Sequence, residues 1–82
     1  MDKNMVINLN LIKEVRNSKG YSIEEMSKLL GYEGYQAYYY KERGIRNMSV
    51  EDISKIATIL KVPIEKLFFK NDVTETVIKE VI

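Results

Sequence analysis

The sequence predicts an all-α domain of five helices closed by a short tail, and three observations carry that prediction. Apolar residues recur three and four positions apart from Leu9 to Phe68. Serines stand three residues before an acid at Ser22/Glu25 and Ser49/Asp52, the signature of a capped helix start. Gly20, Gly31 and Gly44 punctuate the helical stretches, and no β-branched run bounded by hairpin turns precedes the tail.

The first helix runs from about Asn8 to Ser18, with Leu9, Leu11, Ile12 and Val15 as its apolar stripe and Gly20 as its stop. The second starts at Ser22, whose capping box with Glu25 precedes Ile23, Met26, Leu29 and Leu30 on one face, and stops at Gly31. The third spans about Gly34 to Arg43 and is closed by Gly44. The fourth begins at Ser49 and buries Val50, Ile53, Ile56, Ala57 and Leu60. Pro63 suits the first turn of a fifth helix, where its missing N–H is no loss, with Ile64, Leu67 and Phe68 turned inward. Residues 1–70 form this domain. In the tail, 71–82, apolar residues at 73, 77, 78, 81 and 82 fit a helix or, by their β-branched content, a strand. So many apolar groups call for a surface to cover them, either on the same domain or on a second copy.

A chain of 82 residues supports one modest core and no large internal cavity. Its 45% hydrophobic and 30% charged residues are those of a globular protein. No apolar run approaches the roughly 20 residues that cross a bilayer, and the start lacks a signal-peptide stretch, so a soluble cytoplasmic protein is expected. Zero Cys and zero His remove thiol nucleophiles, imidazole bases and soft-metal ligands together, so neither an enzyme nor a metal site is expected. The adjacent acids Glu24-Glu25 and Glu51-Asp52 follow N-cap serines and read as first-turn stabilisers. The net charge of +1 divides unevenly: residues 1–70 carry 12 basic against 9 acidic side chains, +3, and residues 71–82 carry one against three, −2. A mildly basic body is partly hidden by an acidic tail.

The third helix carries four tyrosines in six residues, Tyr35, Tyr38, Tyr39 and Tyr40. At 3.6 residues per turn, Tyr38 and Glu42 share one face, flanked by Lys41 and Tyr35, while Gln36, Tyr39, Tyr40 and Arg43 cover the other. One of the two faces must be anchored. The second is rich in groups that grip a surface.

The segments Leu11-Ile-Lys-Glu-Val-Arg16, Gly20-Tyr-Ser-Ile-Glu-Glu-Met-Ser-Lys-Leu-Leu-Gly31, Tyr38-Tyr-Tyr-Lys-Glu-Arg-Gly44, Met48-Ser-Val-Glu-Asp-Ile-Ser-Lys-Ile-Ala57 and Val62-Pro-Ile-Glu-Lys-Leu-Phe-Phe69 resemble, in order and spacing, the Cro/CI-type (XRE) helix-turn-helix regulators, especially those of phages and mobile elements of Gram-positive bacteria. The resemblance covers about residues 9 to 69. It implies a compact, lambda-repressor-like DNA-binding domain and a sequence-specific transcriptional regulator, expected to be a repressor. The third helix would enter the major groove of double-stranded DNA; a homodimer would bind a palindromic operator without cofactor or small-molecule substrate. Such a protein would sit on the nucleoid when bound. Arg16 and Glu42 match the family's structural ion pair. Tyr35, Gln36, Ala37, Tyr39 and Tyr40 match or flank base-contacting positions: Gln can pair bidentately with adenine, Ala can meet a thymine methyl, and tyrosine hydroxyls can bond bases or phosphates. Ser22, Arg43, Arg46 and Asn47 match phosphate contacts. The sequence departs from the family pattern at Ile23, where a phosphate-holding glutamine is common, in a Gly31-Tyr-Glu-Gly34 turn one residue longer than usual, and in the acidic Glu33 at the entrance of the third helix. Those departures and the aromatic outer face suit the alternative, a protein-interaction module such as an antitoxin or antirepressor-like adaptor on the same fold.

Overall fold

The computed structural model describes residues 6–69. The chain forms α1 (Leu9–Ser18), α2 (Ile23–Leu29), α3 (Tyr35–Glu42) and α4 (Val50–Leu60), then a single 3-10 turn (Ile64–Leu67). Two short strands, β1 (Val6–Ile7) and β2 (Phe68–Phe69), pair antiparallel with Val6 opposite Phe69 and Ile7 opposite Phe68. The five-helix expectation is corrected to four helices, one 3-10 turn and a two-stranded sheet. Pro63 stands just outside the turn in an extended conformation, and only four residues separate it from β2, too few for an α-helix. The expectation for the tail as helix or strand, and for its covering surface, lies outside the described residues.

Local chemistry sets each boundary. Asn8 caps α1 by accepting the Leu11 N–H, while its own N–H donates to the Leu67 carbonyl at 2.8 Å, tying the start of the fold to its end. Ser22 and Ser49 each close a reciprocal capping box, with Glu25 and Asp52. All four helices end in the same double hydrogen bond, the Schellman pattern; in α4 the Val62 N–H reaches Ala57 and the Lys61 N–H reaches Thr58. The left-handed residue this requires is glycine after α1, α2 and α3, but Lys61 after α4, at φ 60°.

The core is built by Ile12 from α1, Met26 and Leu30 from α2, Tyr38 from α3, Ile53, Ile56, Ala57 and Leu60 from α4, and Leu67. Three expected core positions face solvent. Leu29 is 55% exposed because the inward stripe of α2 runs 23, 26, 27, 30, so Ser27 rather than Leu29 faces the core. Val50 is 70% exposed: it is the first residue of α4, and the half-buried Met48 from the preceding loop packs on the core instead. Ile64 opens the 3-10 turn and is exposed, leaving Leu67 fully buried and Phe68 half-buried.

Candidate nucleic-acid interface

Helix α3 is held from two sides. On the first, Arg16 of α1 donates from Nε and Nη2 to the two carboxylate oxygens of Glu42, at 2.8 and 3.1 Å, and from Nη1 to the Tyr21 carbonyl at 2.7 Å. The Tyr38 hydroxyl adds a third bond to Glu42, at 2.7 Å. Burial, reinforced by the neighbouring Glu42 carboxylate, pushes the Tyr38 hydroxyl far above its ordinary range, so it remains a neutral donor. The ion pair is buried and bidentate, the geometry in which a charge pair can offset its desolvation.

On the second side, Lys41 of α3 donates to Asp52 at 2.6 Å and to the Tyr32 hydroxyl at 3.0 Å, and that hydroxyl in turn donates to Asp52. Asp52 also accepts the Ser49 N–H as the cap of α4. Burial alone would raise the Asp52 carboxyl, but the bonds from Lys41, Tyr32 and Ser49 outweigh it and hold the group well below the usual carboxylate range. Burial likewise opposes the Lys41 charge, and its bonds to Asp52 and Tyr32 prevail, so its pKa is raised. One carboxylate thus joins α3, the turn before it and the start of α4.

The entry to α3 is fixed by Ser27, buried to 1% exposure, whose hydroxyl donates to the Gly34 carbonyl at 2.6 Å. Gly34 is the N-cap and no side chain caps the helix; Glu33 is exposed. Sequence reasoning missed Ser27, Tyr32, Lys41 and Asp52 as a brace around α3. For Ser27 a signal existed, a small polar residue four positions after Ile23 on the inward stripe. The other three contacts join separate elements and leave no local trace.

The opposite face of α3 is open. Tyr35, Gln36 and Arg43 are exposed, as are Arg46 and Asn47 beyond the helix, while Ala37, Tyr39 and Tyr40 are half-buried. Arg43 lies over the Tyr39 ring, 5.3 Å from its centre, and donates to the Tyr39 hydroxyl at 3.0 Å. Arg46 lies over the Tyr40 ring at 5.7 Å. The rings of Tyr39 and Tyr40 are 5.7 Å apart and those of Tyr35 and Tyr39 6.4 Å, so the three tyrosines and two arginines form one connected surface. Ser22 is exposed at the start of α2; its oxygen accepts the Glu25 N–H, and its O–H proton remains available to an outside acceptor. Ile23 is half-buried and packs on the core. Among the described residues no cluster of acids could hold a metal ion and no helix is long and apolar enough to cross a membrane.

This arrangement, a braced helix with an aromatic and cationic outer face, can present donors and ring surfaces to an anionic groove without reorganising. The family model described as Helix-turn-helix matches residues 12–67, from the Ile12 core position to Leu67. No curated protein matches the chain.

Proposed function

The chain belongs to the XRE-type helix-turn-helix family of DNA-binding regulators, and from that premise we propose that it is a sequence-specific transcriptional repressor that places α3 in the major groove of a palindromic operator as a homodimer. The observation that carries this reading is the division of α3 into a braced face, through Glu42 and Lys41, and an open face of Gln36, Tyr39, Tyr40 and Arg43. Eight residues at 1.5 Å each give a helix of about 12 Å, which the major groove accepts. Tyr35, Gln36, Ala37, Tyr39 and Tyr40 would meet base edges, and Ser22, Arg43, Arg46 and Asn47 would meet phosphates.

Fluorescence anisotropy against duplexes from the gene's own upstream region tests the reading. Binding should weaken as salt rises, and each arginine that neutralises a phosphate contributes about 0.9 to the slope of log affinity against log salt. Absence of binding at low ionic strength sinks it. The second reading, a protein-interaction module, is favoured by the exposed Leu29, Tyr35, Ile45 and Val50.

A further inference from the structure

A groove of about 580 Å3 opens between the N-terminal half of α1, the start of α2 and the C-terminal half of α3. Polar and charged side chains dominate it: Asn10 and Lys13 from α1, Tyr39 and Arg43 from α3, and the buried Arg16 and Glu42 beneath them. Its lining carries three cations against one acid, a net +2, whereas residues 1–70 as a whole carry +3. Most of the excess positive charge of the body therefore lies on this one surface. Arg16 and Glu42 neutralise each other in their bidentate pair, so the surplus belongs to Lys13 and Arg43. Both are exposed, and among the described residues neither is paired with an acid.

We propose that this groove seats the sugar-phosphate strand beside α3, and that Lys13 is a phosphate contact on α1 alongside Arg43. The proposal rests on the DNA-binding reading and extends its footprint from α3 onto α1. A pocket that selects a small molecule aims buried polar groups into its space. Here the buried guanidinium and carboxylate are engaged by each other, by Tyr21 and by Tyr38, and no buried side-chain polar atom among the described residues lacks a partner. The donors that remain are carried by the exposed Asn10, Lys13 and Arg43 at the rim. That arrangement suits a repeating polyanion, which is held by charge rather than by a shaped cavity. Arg43 belongs both to the open face of α3 and to the groove wall, so a strand lying beside α3 runs directly into the groove. Ile23 lines the groove from α2 with an apolar side chain and offers no donor, so the second cation comes from α1. Lys13 supplies it, as a point charge on a flexible stem that can follow a phosphate.

Anisotropy titrations of the full chain carrying Lys13→Gln, on the preferred duplex and across salt concentrations, test this. Lys13 is exposed, so the variant should keep the wild-type circular dichroism spectrum and thermal midpoint. The slope of log affinity against log salt should fall by about 0.9, the share of one phosphate. Lys55→Gln controls for net charge: it removes the same charge from α4, outside the groove, and should leave the slope unchanged. An unchanged slope in Lys13→Gln, or an equal fall in both variants, overturns the proposal while DNA binding by α3 stands. Ethylation interference on the same duplex adds position. The phosphate whose ethylation ceases to matter in Lys13→Gln should neighbour, on one strand, the phosphate that ceases to matter in Arg43→Ala; a phosphate on the opposite strand overturns the shared seat. A wild-type chain that binds no duplex at low ionic strength overturns the proposal together with the DNA-binding reading.

Discussion

Tyr38 donates its hydroxyl to Glu42 one turn along α3, at 2.7 Å, on the same carboxylate oxygen that accepts Arg16 Nε at 2.8 Å. The tyrosine ring fills the core while its polar tip completes the coordination of a buried acid, so packing and charge are satisfied by one side chain. This explains why α3 can bury a tyrosine and a glutamate side by side yet leave no buried side-chain polar atom unpaired among the described residues.

Removing Arg16 strands that carboxylate. Arg16→Met should destabilise the fold by about 3 to 5 kcal/mol, because Glu42 would keep only the Tyr38 bond in a desolvated site. Tyr38→Phe deletes a single bond to the same carboxylate and should cost about 1.5 to 3 kcal/mol. Urea unfolding followed by circular dichroism measures both, and a larger loss for Tyr38→Phe than for Arg16→Met would contradict the assignment of Arg16 as the main counterion.

The Asp52 network sets the pH window of stability. The Asp52 pKa is depressed on folding, so its contribution is present above the unfolded carboxylate value near 3.8 and is lost as pH falls toward the folded one. The Lys41 pKa is raised, so its contribution is complete below the ordinary lysine value of 10.5 and is lost as pH rises through the raised one. Thermal unfolding should therefore show a plateau between roughly pH 5 and 9 with losses on both sides. Asp52→Asn should lower the plateau and flatten the acid limb. An unchanged acid limb in that variant would place the titrating group elsewhere.

Left-handed positions offer a matched pair of backbone tests. Gly44 follows α3 at φ +82°, and a Cβ there would lie 3.2 Å from Leu9 Cδ1, so Gly44→Ala should cost about 1 to 2 kcal/mol. Lys61 occupies the equivalent place after α4 at φ 60°, so Lys61→Gly should stabilise by about 0.5 to 1 kcal/mol. Denaturant midpoints should move in opposite directions with unchanged slopes.

Those same ends show what was legible in the sequence. Helix starts and stops depend on residues three to six apart, and the Ser22/Glu25 and Ser49/Asp52 boxes and the glycine stops could be read directly. The pairing of Val6-Ile7 with Phe68-Phe69 joins residues about sixty positions apart through two-residue strands too short to show alternation, and the 3-10 turn leading into it stands where a fifth helix was expected. The two faces of α3 follow from helical phase, since Tyr38 and Glu42 are buried while Gln36 and Arg43 are exposed. The role of Lys41 was not legible, because its partners Tyr32 and Asp52 belong to other elements.

The open face of α3 separates positioning from reading. Arg43→Ala should weaken binding to every duplex by a similar factor and reduce the salt slope by about 1, since a phosphate contact carries charge but no base identity. Gln36→Ala should leave the salt slope unchanged and cost about 1 to 3 kcal/mol only on the preferred duplex, relaxing discrimination at one base pair. Tyr39→Phe keeps the ring under Arg43 but removes the hydroxyl that accepts from it, so any loss should resemble a fraction of the Arg43→Ala effect rather than that of Gln36→Ala. Anisotropy titrations across salt concentrations, on a preferred duplex and on one with a single substituted base pair, distinguish the two patterns. If Tyr40→Ala and Arg43→Ala leave DNA affinity intact and instead abolish a protein complex, the outer face serves a protein partner.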